Sequence, residues 1–534
     1  MNCSGGSRNC VYGGPVIPRD IRKKQEFEEI KNKPPRELKR KEPDHDNGYL
    51  QMFACFTAGG PSSVPEFPDL QFDPRLVGTI DPTMLMAPSP LPDMALSSDQ
   101  LLARLPSLVP LTRAEREGLD YYLNEASFGF GSKAPGWSTH AIILKAANDT
   151  PAVLHLLFAA AQAEKGSRCR PQQALLDSAD NNFRLGWECL KRDIAEGQMD
   201  PTRVMGSFWF LYIHQRHRRP TGHRISYQEL SHRVAEYIRA HQIYQILATP
   251  NSDDAAWPAK TKALVARLMI WLFWADTQAA FLGEGGFVAK LLLGSGAPRA
   301  LLDLYKVSKE ALSLNWDLYP YDEQVDDLQN ASALEFNHRG WIIVAEINEA
   351  LDATGHLDAE TSAAIKAKIE ALRQRAAVKV VLRLIESVCI VKDRLMLNST
   401  WAAANYDALC VYHFRASLVA EDEPFSSVSP DSTHIAGVVS TLLMLVQESL
   451  AGEDKGQASR LQWSLFWAGL ETTDGFKQGC ILMWLKNEGL KQALRSVFML
   501  QAVAGLRASL ATIREICKAS CGAIPDSSPG AWEL

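Results

Sequence analysis

The sequence predicts an all-α protein, because apolar residues recur at helical spacing along most of the chain and strand-like alternation is rare. Hydrophobic residues make up 46% of the 534 residues and charged residues 22%, a balance that is typical of a globular protein. Helical periodicity takes over from Leu101 onward. We therefore expect one large helical domain over residues 98–520, with a different segment before it and a short tail at 521–534.

The segment 15–97 is rich in proline, which prevents continuous helix, and we expect it to be a disordered linker. Within it, residues 19–41 carry ten Lys and Arg against five Asp and Glu. The basic end of this stretch resembles a nuclear-import signal, and a solvated linker is the alternative interpretation. The candidate import residues are Arg36, Lys39, Arg40 and Lys41.

Helix signals begin at Thr112, where Thr112 and Glu115 have the spacing of a capping box. Pro220–Gly222 and the stretches 249–257 and 426–432 interrupt the pattern, and residues 316–329, rich in Asp and Tyr, suggest an exposed acidic loop. Further apolar helical runs are expected at 152–163, 183–194, 204–213, 231–246, 264–282, 300–314, 341–351, 363–397, 400–418, 435–450 and 480–513.

The most apolar stretch, 264–282, contains Arg267 and Asp276. A membrane span needs about 20 residues with few or no charges, so this stretch predicts a buried helix and no membrane partner. The net charge of −6 argues against a protein that coats nucleic acid along its length. Ten scattered cysteines without a secretory signal favour reduced thiols in the cytosol or nucleus.

The N-terminal residues Cys3-Ser-Gly-Gly-Ser-Arg-Asn-Cys10-Val-Tyr resemble part of the fungal zinc binuclear-cluster motif. In that family six cysteines hold two zinc ions, and four ligands complete each closed site. Cys3 and Cys10 would be the last two ligands, in a remnant at residues 1–14, and zinc would require further cysteines upstream. Two free thiols in a disordered tail are the alternative.

Three later segments resemble the same family's helical regulatory domain. Residues 268–292, LMIWLFWADTQAAFLGEGGFVAKLL, look like its Trp-rich helix, Gly-rich turn and second apolar run. Residues 461–485 resemble its late W-P-L-F-x-A-G-x-E segment, with Ser464 in place of proline. Residues 119–123 followed by 151–162 resemble its early segment, with Tyr121 in place of histidine. The resemblance covers about residues 100–515.

The resemblance implies a nuclear transcriptional regulator of a fungal gene set, such as a metabolic or secondary-metabolite cluster. Its partners would be promoter DNA, bound directly or through another protein, and other transcription proteins. Homodimerisation stays open, because no sustained heptad follows the cysteines. The rivals are a helical scaffold or co-regulator that works through a DNA-binding partner, and an enzyme with an unrecognised pocket.

Several residue groups invite a chemical interpretation that the sequence does not favour. His214, His217 and His223 lack a carboxylate or cysteine at useful spacing, so a basic helix end is preferred to a metal site. The run 283–286 lacks the Lys-Ser/Thr of a phosphate loop and predicts a helix-ending turn with positive φ. Asp276 is expected to bond a neighbouring helix rather than act as a catalytic acid.

Glu471 and Asp474 form a carboxylate pair near a helix break, for which capping is the simplest account. Tryptophans at helical spacing favour core packing over a ligand pocket. These are Trp209, Trp271, Trp274, Trp463 and Trp467. No hydrolase, zinc-protease, C-x-x-C or dinucleotide motif is present in the sequence. We therefore expect that the protein is not an enzyme and has no catalytic residue.

Overall fold

The computed structural model describes residues 111–127, 133, 135–147, 150–167, 172–197, 200–217, 225–248, 257–294, 298–386, 394–418, 430–450 and 457–521. These residues belong to a compact unit that spans Ala95–Leu534. Helix accounts for 87% of them and no strand occurs among them, which confirms the all-α prediction. Residues 1–110, with Cys3, Cys10, Arg36, Lys39, Arg40 and Lys41, lie outside the described residues.

The described residues form 21 α-helices in chain order. The first eleven are α1 (Arg113–Tyr121), α2 (Thr139–Ala147), α3 (Pro151–Gly166), α4 (Gln173–Ala195), α5 (Pro201–His217), α6 (Tyr227–Ala240), α7 (Ile243–Ala248), α8 (Ala259–Phe281), α9 (Phe287–Gly294), α10 (Pro298–Lys309) and α11 (Ala311–Asn315).

The long helix α12 opens the second half of this order. The remaining helices are α12 (Tyr321–Thr354), α13 (Ala359–Gln374), α14 (Ala376–Glu386), α15 (Arg394–Ala416), α16 (Pro430–Leu450), α17 (Gln457–Arg460), α18 (Gln462–Glu471), α19 (Gly475–Trp484), α20 (Glu488–Ala504) and α21 (Leu510–Cys521).

The predicted capping box at the start of α1 is confirmed. The Thr112 hydroxyl accepts from the Glu115 amide at 3.2 Å, and the Glu115 carboxylate accepts from the Thr112 amide at 2.8 Å. Both bonds satisfy backbone groups that the first helical turn leaves open. The Glu117 carboxylate then pairs with Lys165 of α3 at 2.7 Å, which ties α1 to the next layer.

Four of the predicted helical runs are wrong in extent because local backbone conformations end the helices. The run at 300–314 is two helices, α10 and α11, divided at Glu310. The run at 231–246 is two helices, separated at Gln242 with a φ of 50°. The run at 363–397 is divided at the extended Arg375, and the run at 480–513 is divided at Leu485 and again at Gly505. Gly505 has a φ of 67°, the left-handed conformation that ends helices.

The expected exposed loop at 316–329 is also wrong, because α12 begins at Tyr321. Asp322 and Glu323 lie in its first turn, where negative charge is favourable near the helix N-terminus. Two cations from distant parts of the chain then neutralise part of the negative charge of residues 316–329. Lys133 lies 2.9 Å from an Asp327 oxygen and 2.6 Å from a Glu323 oxygen, and Arg394 contacts Asp327 at 3.0 Å.

The helices pack around a core that contains many aromatic side chains. α3 packs along α4 and α5, where the Gly186 Cα lies so close to Leu156 that a Cβ would meet the Leu156 side chain at 2.7 Å. α8 contacts both α5 and α12, and the ring of its last residue, Phe281, lies 4.7 Å from the ring of Trp467 of α18 in a tilted arrangement. The core therefore extends from the first helices to the last.

Candidate functional site

The Gly-rich turn between α8 and α9 is built around Asp276. The Asp276 carboxylate is fully buried and accepts from the Ser231 hydroxyl at 2.5 Å, the Tyr212 hydroxyl at 3.2 Å and the Ala289 amide at 3.0 Å. Burial raises the pKa of Asp276, and these hydrogen bonds oppose that shift. The prediction that Asp276 bonds neighbouring helices is confirmed.

The turn itself has the predicted positive φ angles, at Gly283, Gly285 and Gly286. At Gly285 a Cβ would lie 2.9 Å from an Asp276 oxygen, so glycine is required for space as well as for conformation. Asp276 thus fixes the start of α9 against α6 and α8. Its position, closed by donors and backbone on all sides, is that of a structural carboxylate.

Glu471 and Asp474 play different roles. Asp474 accepts from the amides of Phe476 and Lys477 and caps α19, as predicted. The capping prediction is wrong for Glu471, whose buried carboxylate pairs with Arg415 and, at 3.2 Å, with Arg507. The Arg415 guanidinium also donates to backbone oxygens of Ala508 and Leu470. We call Arg415, Glu471 and Arg507 the arginine–glutamate knot.

The two described histidines of the predicted cluster lie at the end of α5. His214 is fully buried and stacks 4.6 Å from Phe183, and His217 lies 3.9 Å from a Glu164 oxygen. His223 falls outside the described residues, among which no group of three potential metal ligands occurs. His214 is therefore part of the core, and His217 is the partly exposed member of the pair.

The tryptophans are core residues or partly covered. Trp209, Trp463 and Trp467 are buried, whereas Trp271 and Trp274 of α8 are half-buried. Trp467 packs against both Phe281 and Tyr412 at 4.7 Å. This placement agrees with the core interpretation.

Sequence reasoning missed a row of buried asparagines between α12 and α15. Asn398 donates to Asn330 at 2.6 Å, and Asn405 donates to Asn337 at 2.7 Å. Both helices advance by seven residues from one pair to the next, so α12 and α15 run parallel in this region. We call these four residues the asparagine ladder. Their spacing is visible in the sequence, but only the structure identifies the partners.

A small recess lies beside the ladder, lined in part by Asn337, Trp341 and Trp463. The amide nitrogen of Asn337 and both indole nitrogens are buried and have no hydrogen-bond partner among the described residues. The recess has room for about one water molecule, and three donors suit a single acceptor oxygen. This space is too small for a metabolite, and its described lining contains no carboxylate, imidazole or thiol.

Comparison with known proteins identifies no relative of this chain. No family model matches the chain, and neither does any curated protein or solved structure. None of the described helices combines the length and the hydropathy that are needed to cross a bilayer.

Proposed function

We propose that this chain is a nuclear transcriptional regulator of a fungal gene set, and that its helical domain is the regulatory region. The proposal is supported by the three segments, in one order, that resemble the fungal zinc binuclear-cluster family. Two of these segments lie against each other, because Phe281 of the first contacts Trp467 of the second. Regulation of a metabolic or secondary-metabolite cluster is the corresponding biological role.

The observation that carries the proposal is the α8–Gly turn–α9 unit, in which Asp276 closes a turn of the kind expected from the resemblance. The sequence contains none of the hydrolase, zinc-protease, C-x-x-C or dinucleotide motifs that would favour an enzyme. Zinc would enter only with further cysteines upstream of Cys3 and Cys10, since closed sites need four ligands per ion.

Chromatin association of the full chain tests this function directly. We expect immunoprecipitation of tagged chain to enrich a restricted set of promoters, and deletion of the gene to change transcription of the genes downstream of them. Absence of promoter enrichment together with unchanged transcription would contradict the proposal. Mapping the 5′ end of the transcript then separates direct DNA binding, which needs four more cysteines, from a co-regulator recruited by a DNA-binding partner.

Nuclear import supplies a second test. Replacing Arg36, Lys39, Arg40 and Lys41 together with alanine should move a fluorescently tagged chain from the nucleus to the cytoplasm. Replacing Arg22, Lys23, Lys24 and Lys31 in the same linker is the matched control for loss of four positive charges. Equal nuclear signal in all three proteins would assign residues 36–41 to an ordinary solvated linker.

A further inference from the structure

The beginning of α12, with α11 before it, presents bulky apolar side chains to solvent. Leu318, Tyr321 and Leu328 are 81%, 76% and 75% exposed, and Leu314 is partly exposed beside them. Tyr321 and Leu328 are seven residues apart and therefore lie on one side of the helix. We call this surface the acidic face. Exposed leucines in such a group are typical of an interaction surface.

Negative charge surrounds these side chains. The carboxylates are Asp317, Asp322, Glu323, Asp326 and Asp327, and the cations that contact them are Lys133 and Arg394. Five carboxylates and two cations leave a net charge of −3. Asp317 and Asp322 are exposed, so the negative potential reaches the solvent.

A second surface, on α19 and α20, combines exposed apolar side chains with positive charge. Val503 is 90% exposed and Met499 is 64% exposed, and Phe476, Met483 and Leu500 are exposed to a smaller extent. Residues 475–504 contain Lys477, Lys486, Lys491 and Arg495 against Glu488, a net charge of +3. Counting the capping Asp474 makes it +2. We call this surface the basic face.

The acidic face and the Met499–Val503 end of the basic face lie near opposite ends of α12. Gln501, between Met499 and Val503, contacts Arg415 at 3.3 Å near the end of α15. At the same level, Tyr412 bonds Asn348 of α12 at 2.5 Å. Tyr321 and Asn348 are 27 residues apart in one helix, which is about 40 Å at 1.5 Å per residue. The acidic face therefore cannot cover Met499 and Val503 of its own chain.

We propose that the acidic face of one chain binds the basic face of a second copy, in a head-to-tail association. Unlike faces attract, whereas pairing two acidic faces or two basic faces would place like charges opposite each other. The exposed leucine, methionine and valine side chains supply the apolar surface that association buries. Because the two contact surfaces differ, the contact is heterologous and can extend beyond two chains. This association is independent of the proposed function.

Paired variants of the full chain test this geometry. Leu318→Arg with Leu328→Arg blocks the acidic face and leaves the basic face intact. Met499→Glu with Val503→Glu blocks the basic face and leaves the acidic face intact. By sedimentation velocity at low salt, we expect wild type to associate with rising concentration and each double variant alone to be monomeric. An equimolar mixture of the two double variants should form a dimer and nothing larger, since only one productive pair of faces remains.

Val380→Glu is the matched control, because Val380 is exposed on α14 outside both faces and its replacement should leave association unchanged. Far-UV circular dichroism establishes that each variant is folded. Association should also weaken steeply as salt is raised, since screening shortens the range of the charges. Wild type that stays monomeric at low salt, or double variants that fail to combine, would overturn the proposal. A double variant that still dimerises alone would replace it with pairing through a single face.

Discussion

Asp276 and Glu471 are both buried carboxylates, but different kinds of partner stabilise them. Asp276 accepts from uncharged donors, which are the hydroxyls of Ser231 and Tyr212 and the amides of Ala289 and Gly286. Glu471 lies between two guanidinium groups. Hydroxyl and amide donors satisfy the lone pairs of a carboxylate without adding a second charge. The arginine–glutamate knot instead buries three charged groups, and the loss of Glu471 leaves the other two without compensation.

Because of this difference, the two regions are sensitive to different substitutions. Around Asp276, the side chain fixes a turn whose backbone conformation is itself demanding. In the arginine–glutamate knot, the side chains join the ends of α15, α18 and α20 to the segment 505–509, which precedes α21. Removing Glu471 leaves two buried cations together, and removing Asp276 leaves only neutral donors.

The largest effect is therefore expected for Glu471→Gln. Loss of one member of a buried ion pair costs about 3–5 kcal/mol, because the remaining charge stays buried without compensation. Urea unfolding followed by circular dichroism measures this change. Asp303→Asn, which removes an exposed pair with Lys306, is the control and should cost about 0.5 kcal/mol or less. Equal effects of the two replacements would show that the knot is not a buried ion pair in solution.

A smaller loss is expected for Asp276→Asn. The replacement keeps the shape but turns an amide nitrogen toward donors, so about 1–3 kcal/mol of unfolding free energy is lost. Asp120→Asn, on the exposed side of α1, controls for the change of carboxylate to amide. A loss as large as that of Glu471→Gln would mean that a buried carboxylate held by neutral donors and one held by an ion pair are equally sensitive to replacement.

Gly285→Ala measures how much the glycine backbone beside Asp276 contributes to the unfolding free energy. Gly285 and Gly355 both have positive φ, at 75° and 76°, but a Cβ at Gly355 meets nothing within 4 Å. Gly355→Ala should cost about 1–2 kcal/mol from conformation alone. Gly285→Ala should cost more, because its Cβ also crowds the Asp276 carboxylate. Similar losses of unfolding free energy in the two variants would show that crowding of the Asp276 carboxylate adds no cost at Gly285.

The smallest effect is a pH dependence of the Asp276 contribution. Burial raises the pKa of Asp276 above its ordinary value. A carboxyl whose folded pKa is raised contributes stability below its unfolded pKa, about 3.9, and loses it as pH rises through the folded pKa. The stability difference between wild type and Asp276→Asn should therefore shrink as pH rises from about 4. Urea midpoints of both proteins between pH 4 and pH 8 measure this stability difference. A stability difference that grows with pH would contradict a raised pKa for Asp276.

The sequence predicted the Asp276 region better than the knot for a physical reason. Asp276, the glycines and α9 are close in sequence, so residue types and spacing contain most of the local structure. The partners of Glu471 are 56 and 36 residues away, at Arg415 and Arg507, and no local pattern indicates them. The capping prediction accordingly holds for Asp474, which bonds its own helix, and is wrong for Glu471.

The same reason explains the error at 316–329. Five acidic residues in a short stretch indicate solvent exposure when considered alone. Lys133 reaches this stretch from 190 residues earlier in the chain, and Arg394 reaches it from 67 residues later. Apolar periodicity predicted most helices, whereas the divisions at Gln242, Arg375 and Leu485 depend on single backbone conformations that residue type does not specify.

The asparagine ladder restricts how the length of this protein can change. Adding one residue to α12 between Asn330 and Asn337 turns everything beyond it by about 100° and moves Asn337 away from Asn405. Adding seven residues restores the facing side of α12 but leaves α15 short by the same amount. Insertions and deletions within this pair of helices are therefore tolerated only when both helices change together by whole repeats, so length variation should accumulate in the connecting segments instead.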